Sequence, residues 1–311
     1  MKSIQSEAII VAYENKDLQT LLCLTKPHAR VQNKSQNYHS VLMLSCNKIQ
    51  HLMKIESLQA DCIMLNLEDG VSKQDKPFAL VLCAFFLSKI QKSNKKIVVR
   101  VNALDEGGDE EIKYLNAFMP DAIRVPKIKN KKEVQNILDI LHVDIELHLS
   151  IETAESWNNL ATLALSKRVT TFYLGVLDLF ADMQLPQSLI EKDNPTMLYI
   201  LSHFLVTSKA MGIKPVSFVY QDFKNVDAFE QWISLEKKMG YDAKGCISPS
   251  QVKCVNQKFL DDTKDLEKAK KIIELFERNE KEGVTGFTHA NFGFIDEPIY
   301  KGALALLRKN K

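Results

Sequence analysis

Glu152 and Asp178 are the residues whose types and spacing point most directly to chemistry. Residues 144–183, DIELHLSIETAESWNNLATLALSKRVTTFYLGVLDLFADM, run as an apolar segment ending in Glu152, an amphipathic segment, and a second apolar segment ending at Gly175 and Asp178. This is the pattern of strand, helix, strand. In a parallel α/β unit neighbouring strands lie ~4.8 Å apart with their C-terminal ends on one side. The two carboxylates are therefore expected to face one small volume, where they would cradle a hard cation.

The elements that must position this pair recur along the chain. From Ser40 onward one unit repeats: SVLML, DCIMLNLE, KIVVRVN, DAIRVPK, DIELHLSIE, VTTFYLG, IKPVSFVY and KGCIS are short apolar runs, most of them followed by a segment of 3.6-residue period. Helices are expected near residues 76–91, 110–118, 131–141, 155–166 and 226–239, in a segment ending near Met211, and in a turn opened by Pro249. Eight such strands with helical crossovers predict a (β/α)₈ TIM barrel over residues 39–260, ahead of an open doubly wound sheet with the same alternation. No G-x-G-x-x-G or P-loop pattern follows any strand, which argues against a dinucleotide site. Residues 1–38 read as an N-terminal extension, a short hairpin or a variable segment laid on the domain. Residues 261–311 read as a C-terminal helical extension: a charged helix over 264–280, a loop GVTGFTHANFGFIDEP, and a last helix over 299–308.

Composition narrows the partners. Lys and Arg total 41 against 39 Asp and Glu, interspersed, so no basic stripe favours nucleic acid. Six cysteines without a C-x-x-C pair, mostly in apolar runs, suggest reduced and packed thiols. The longest apolar run, residues 78–87, falls short of the ~20 residues that span a bilayer, and Glu7, Glu14 and Asp17 stand where a signal peptide would be apolar. A cytoplasmic protein with a small-molecule substrate and no membrane partner is expected.

Barrel enzymes keep their chemistry at the C-terminal ends of the strands. There this chain carries Glu68 and Asp69, Arg100 and Asn102, Lys127, Glu152, Asp178, Tyr220 and Ser248. Acids at strand ends also cap the following helices, and for Asp69 and Asp178 singly that role fits as well as a functional one. The set as a whole favours a site. His39, His51, His142 and His148 read as packed or surface histidines.

LEDG at 67–70, VRVN at 99–102, VPK at 125–127, IETAES at 151–156, GVLDLFADM at 175–183 and ISPSQV at 247–252, with FIDEP near the C-terminus, occur in an order and spacing that resembles the citrate lyase β-subunit-like group of the HpcH/HpaI aldolase superfamily. The resemblance runs from about Ser40 to the C-terminus. It implies Mg²⁺-dependent carbon–carbon lyase or synthase chemistry on acyl-CoA thioesters. It further implies that Glu152 and Asp178 bind Mg²⁺ and substrate oxygens, that Arg100 holds the oxo or carboxylate oxygen, and that Glu68 and Asp69 stand behind it. Asp296 of GFIDEP matches the family's acid/base, supplied by a neighbouring subunit of a trimer, with Gly283, Gly286 and Gly293 letting the loop act as a lid. A helix cap before Glu297 and Pro298 fits Asp296 nearly as well.

The chain also departs from the family's pattern. Ser45 and Cys46 replace Pro-Gly after the first strand, Asn66 replaces an Asp, Leu177 a Glu, Ser217 an Asp and Ser248 a His. None of these removes a proposed metal ligand or Arg100, but each reshapes the surroundings. The expected substrate is a short hydroxyacyl-CoA of malyl, citramalyl or citryl type. The alternatives are a CoA-independent α-oxo acid aldolase, which lacks a matching His base here, and a degenerate barrel acting as a binding or partner subunit.

Overall fold

Short runs of aliphatic residues buried on both faces form the staves of a parallel sheet, as expected of strands covered by crossover helices. The strands are β1 (Ser40–Ser45), β2 (Cys62–Asn66), β3 (Lys96–Arg100), β4 (Ala122–Val125), β5 (Glu146–Ile151), β6 (Val169–Leu174), β7 (Lys214–Val216) and β8 (Lys244–Cys246). Their order is β7-β6-β5-β4-β3-β2-β1-β8, parallel at every pairing. A bridge between Ser217 and Lys244 joins β7 to β8, with Ser217 N donating to Ala243 O at 3.0 Å and Gly245 N to Ser217 O at 3.1 Å. The sheet thus closes into the expected (β/α)₈ barrel. This computed structural model describes residues 7–28, 30–259 and 263–309.

The chain divides into two compact units, Met1–Phe259 and Leu260–Lys311. The expected boundary at 260/261 falls outside the described residues, as do residues 1–6 and Ala29 of the N-terminal segment. Among the described residues no helix is long and apolar enough to cross a membrane.

The seam between β7 and β8 is reinforced by contacts to the crossover helix Val226–Met239. Lys244 and Glu236 are both fully buried, with Nζ donating to Glu236 Oε1 at 2.6 Å and to Phe218 O at 2.9 Å. Ser217 donates its hydroxyl to the same carboxylate oxygen at 2.6 Å. A Cβ on Gly245 would come 2.7 Å from Val219 Cγ2, so the close approach of the two strands needs glycine there.

Residues 7–38 are not a hairpin. They form helices Glu7–Glu14 and Leu18–Leu24, which bury Ile9 and Leu21 and set Tyr13 against Phe78 of the helix Lys76–Lys89. The apolar runs 8–13 and 21–24 are spaced for one helical face each, and an Asp17 cap opens the second helix. The extended segment that follows closes the N-terminal mouth of the barrel. Arg30 makes a bidentate pair with Asp121 at 2.9 and 3.0 Å, and Tyr38 shares a 2.7 Å hydrogen bond with Thr171. Lys96 donates to Ser35 O at 3.1 Å and to Glu146 Oε1 at 3.0 Å. Between this plug and the opposite mouth the interior is filled by Val41, Cys62, Met64, Val98, Ala122, Tyr173 and Val216.

The second unit holds helices Thr263–Lys281 and Glu297–Lys309, and between them an antiparallel hairpin, β9 (Gly286–His289) and β10 (Gly293–Asp296). The segment expected to be a loop is thus a hairpin. Phe287 and Ile295 pair across it, and burying Ile295 with Ile272, Leu275 and Phe276 supplies the apolar face that makes two short strands worth forming.

Candidate active site

A cavity of about 580 Å³ opens at the C-terminal ends of the strands. Asp69, Arg100, Glu152 and Asp178 all line it, so these four expected residues border one cavity.

Glu152 follows β5 directly and is 4% exposed. Its Oε1 accepts the backbone N–H of Lys127 at 2.7 Å, and that N–H is aimed by a left-handed backbone at Lys127, φ 53°. A non-glycine residue in that region is strained, and such strain concentrates at functional sites. Oε2 accepts no hydrogen bond from the described residues. It lies beside Gly175, where a Cβ would approach it to 2.4 Å. Burial pushes the Glu152 carboxyl up to about 7, with Glu68 adding to the rise and Arg124 opposing it. Asp178 sits in the first turn of the helix Val176–Asp182, is exposed, and makes no hydrogen bond or ion pair among the described residues. It does not cap that helix.

Arg100 ends β3 and is held on three sides. Nε donates to Asn66 Oδ1 at 2.7 Å, Nη1 lies 2.8 Å from Glu68 Oε2, and Nη2 lies 3.8 Å from Asp69 Oδ2. Glu68 is 3% exposed. Burial raises its carboxyl and the Arg100 charge opposes that rise, so its place is that of a counter-ion fixing the guanidinium. Asn66, where an acid was expected, keeps a neutral acceptor on Arg100 and leaves Glu68 as the full charge against it. Asp69 is the exposed partner of the two.

Other expected residues of the barrel fall outside the cavity wall. Asn102 receives the Lys76 ammonium and binds Glu111 behind β3. Ser248 accepts from Gln251 N at 3.2 Å and so caps the helix Pro249–Phe259. Tyr220 offers its carbonyl to Gln251. Asp296 belongs to the second unit, where Oδ1 accepts Ile299 N at 3.2 Å and caps the helix Glu297–Lys309. His148 is wholly buried inside the barrel, and His51 lies on the cavity wall.

Two features went unread in the sequence. Arg124 of β4 points into the barrel and lines the cavity. The signal was present as an arginine inside the apolar run AIRVP. Lys48 and Lys54, with His51 between them on the turns and helix after β1, form a basic stretch of the rim. Only the fold brings that stretch over the strand ends.

The donor set fits magnesium. Glu152 offers one unbonded oxygen, Asp178 offers its whole carboxylate, and the glycine at 175 clears space beside the first. Among the described residues no cluster of three or more His, Cys, Asp or Glu is arranged to hold a metal. Two carboxylates suit Mg²⁺, which keeps several waters and leaves places for substrate oxygens.

Comparison with known proteins agrees with this architecture. The chain is 30% identical over 247 residues to a (3S)-malyl-CoA thioesterase of Cereibacter sphaeroides, covering 79% of this chain and 85% of the relative. It is 29% identical over 266 residues to the citrate lyase subunit beta of Haemophilus influenzae, covering 81% and 89%. The crystal structure of CitE from Mycobacterium tuberculosis in complex with magnesium, acetoacetate and coenzyme A has the same fold, with a TM-score of 0.69, 21% identity, and coverage of 88% of this chain and 98% of that one. Residues 39–249 match the family described as HpcH/HpaI aldolase/citrate lyase, and the chain belongs to that family.

Proposed function

We propose that the protein is a Mg²⁺-dependent carbon–carbon lyase or synthase acting on a short hydroxyacyl-CoA of malyl, citramalyl or citryl type. The observation that carries this is the convergence of Glu152, Asp178 and Arg100 on one cavity, the two carboxylates with oxygens uncommitted to protein and the guanidinium rigidly held. Glu152 and Asp178 would hold Mg²⁺, which supplies Lewis acidity toward an oxo or alkoxide oxygen. Arg100 donates to the same oxygen or to the adjacent carboxylate, stabilising charge where it develops. In the cleavage direction the substrate hydroxyl gives its proton to an acid/base group and becomes a carbonyl as the carbon–carbon bond breaks. The bonding pair passes into the thioester as an enolate, and the same proton is returned to the enolate carbon. We assign both transfers to Asp296, presented by a neighbouring protomer of a trimer, which takes the hydroxyl proton and hands it to the enolate. Its Oδ1 is used in capping, while Oδ2 is unbonded among the described residues.

Lys48 and Lys54, with the His51 imidazole between them, favour a CoA thioester over a free oxo acid, because two ammonium groups beside the cavity suit the phosphates of a CoA arm. The uncommitted donors argue against a barrel that has lost chemistry. Thioester hydrolysis is the second reading, raised by the malyl-CoA thioesterase relative.

The test is incubation with Mg²⁺, acetyl-CoA and glyoxylate, pyruvate or oxaloacetate in turn, followed by chromatography of the CoA species. Formation of a hydroxyacyl-CoA, abolished by EDTA, is the expected result. Free CoA as the only product would establish hydrolysis instead, and no turnover of any pair would remove the lyase assignment.

A further inference from the structure

Arg124 is a buried cation without an ion pair. It is 6% exposed, and its contacts among the described residues are neutral: Nε donates to Ser150 Oγ at 2.8 Å, Nη1 lies 3.3 Å from Met64 Sδ, and the guanidinium stacks over the Tyr173 ring with its centre 4.3 Å from the centroid. Nη2 makes no hydrogen bond among the described residues. Burying a guanidinium is costly unless an anion meets it. Arg100, its register partner on the neighbouring strand, has that anion in Glu68. Arg124 does not, and it borders both the large cavity and a pocket of about 20 Å³ beneath, so it forms part of the cavity floor. Ser150, Met64 and Tyr173 hold one edge and one face of the guanidinium. The remaining edge is left for what enters the cavity.

We propose that Arg124 is a specificity-determining residue that binds a second carboxylate of the substrate, so that the oxo-acid half of the reaction is dicarboxylic. This rests on the proposed function, in which Arg100 and the Glu152–Asp178 pair take the oxo oxygen and its adjacent carboxylate. One α-oxo acid group occupies those three residues. A second cation one strand away, at the same level and facing the same space, is complementary to a further carboxylate carried on the same molecule. Oxaloacetate has that group and pyruvate lacks it. Glu152 and Glu68 are near enough to feel the Arg124 charge, so the competing role is support of the carboxylate wall alone.

Calorimetric titration with Mg²⁺, and then with freshly dissolved oxaloacetate or pyruvate in the presence of Mg²⁺, separates these roles. The wild type is expected to bind oxaloacetate more tightly than pyruvate. Arg124→Met is expected to weaken oxaloacetate about 10- to 100-fold, the scale of a lost charge-assisted hydrogen bond, while pyruvate and Mg²⁺ bind as before. Arg124→Lys, which keeps the charge without the planar fork, should fall between and serves if the Met variant does not fold by circular dichroism. Equal wild-type affinity for the two acids, or a parallel loss of both acids or of Mg²⁺ in either variant, would overturn the assignment. If neither acid binds the wild type, the proposed function falls and this assignment with it. If both bind and neither substitution discriminates between them, only the role of Arg124 falls.

Discussion

Gly175 lies so close to Glu152 that a single added methyl would come 2.4 Å from Oε2 and 2.5 Å from Cβ of the glutamate. The backbone there, φ −92°, is open to any residue, so glycine is required by space. Gly175→Ala should displace the carboxylate or the turn, lower stability by about 1–3 kcal/mol as overpacking does, and weaken Mg²⁺. Thermal melts with and without Mg²⁺ check this: the metal-dependent rise in Tm should shrink. An unchanged rise would show that Oε2 is not a ligand.

Glu152→Gln and Asp178→Asn should each abolish measurable Mg²⁺ binding by calorimetry, with different structural consequences. Asp178 is exposed and unpaired, so its amide should leave Tm unchanged. Glu152 is buried and accepts the Lys127 N–H through Oε1, a bond that a glutamine oxygen can retain. Its amide also removes a desolvated charge, so the metal-free protein should be no less stable than the wild type. Undiminished Mg²⁺ affinity in either variant would count against the pair.

Arg100→Lys keeps the charge but not the three-sided hold by Asn66, Glu68 and Asp69. Turnover should fall about 10²-fold or more, the scale of losing one aligned donor at a developing oxyanion. Stability should also drop, because Glu68 is buried and would face a differently shaped cation. Steady-state kinetics showing near-wild-type turnover would give Arg100 a structural role only.

Much of this was legible in the chain. Continuous apolar runs such as CIMLN and KIVVR declare strands buried on both faces, and counting them gives the barrel. Glu152, Asp178 and Arg100 stand out because charge at the end of such a run has to face an opening. Less legible were features set by contacts distant in sequence. Residues 30–38 have no periodicity, and contacts to residues distant in sequence, among them Lys96, Asp121 and Thr171, make them a plug. Asn102 and Ser248 sit at strand ends yet turn to Glu111 and Gln251, a choice made by local hydrogen bonds that composition does not reveal. Arg124 was visible as an oddity inside a strand, but its meaning depends on what it fails to touch.

Acid should unfold the barrel from the plugged end. Burial, with the charges of Lys96 and Arg124, holds His148 down at about 4, and Glu146 lies at about 2 because His148, Lys96 and Thr170 outweigh its burial. Both folded values lie below the ordinary ones of 6.5 and 4.5. The unfolded chain therefore takes up protons first, and stability present above pH 6.5 is lost as pH falls toward about 2, with His148 acting down to about pH 4 and Glu146 below. Each shift corresponds to roughly 3 kcal/mol. Urea melts across this range check the slope, and His148→Asn should flatten its upper part.

Asp296 is tested by mixing. An Asp296→Asn chain with an intact Glu152 and a Glu152→Gln chain with an intact Asp296 are each expected to be inactive. Oligomers containing both should regain part of the activity if the acid is donated across a subunit boundary. Absence of recovery in verified mixed oligomers would leave Asp296 as the helix cap seen at Ile299.

The two hydrogen bonds that join β7 to β8 make one side of the barrel a hinge line, since Pro215 in β7 has no N–H to offer and both strands are three residues long. Counting around the ring, that line lies diametrically opposite the β3–β4 junction that carries Arg100 and Arg124. Breathing motions should therefore favour the half of the mouth edged by Phe218, Val219, Gln221 and Ile247, with amide exchange at Ser217 and Gly245 faster than at the fully paired β3 and β4 amides even with the buried Lys244–Glu236–Ser217 contacts in place. The charged half then behaves as an anvil and the apolar half as a jaw, so substrate analogues differing in bulk should be sorted by the jaw's compliance while the reacting oxygens stay in register.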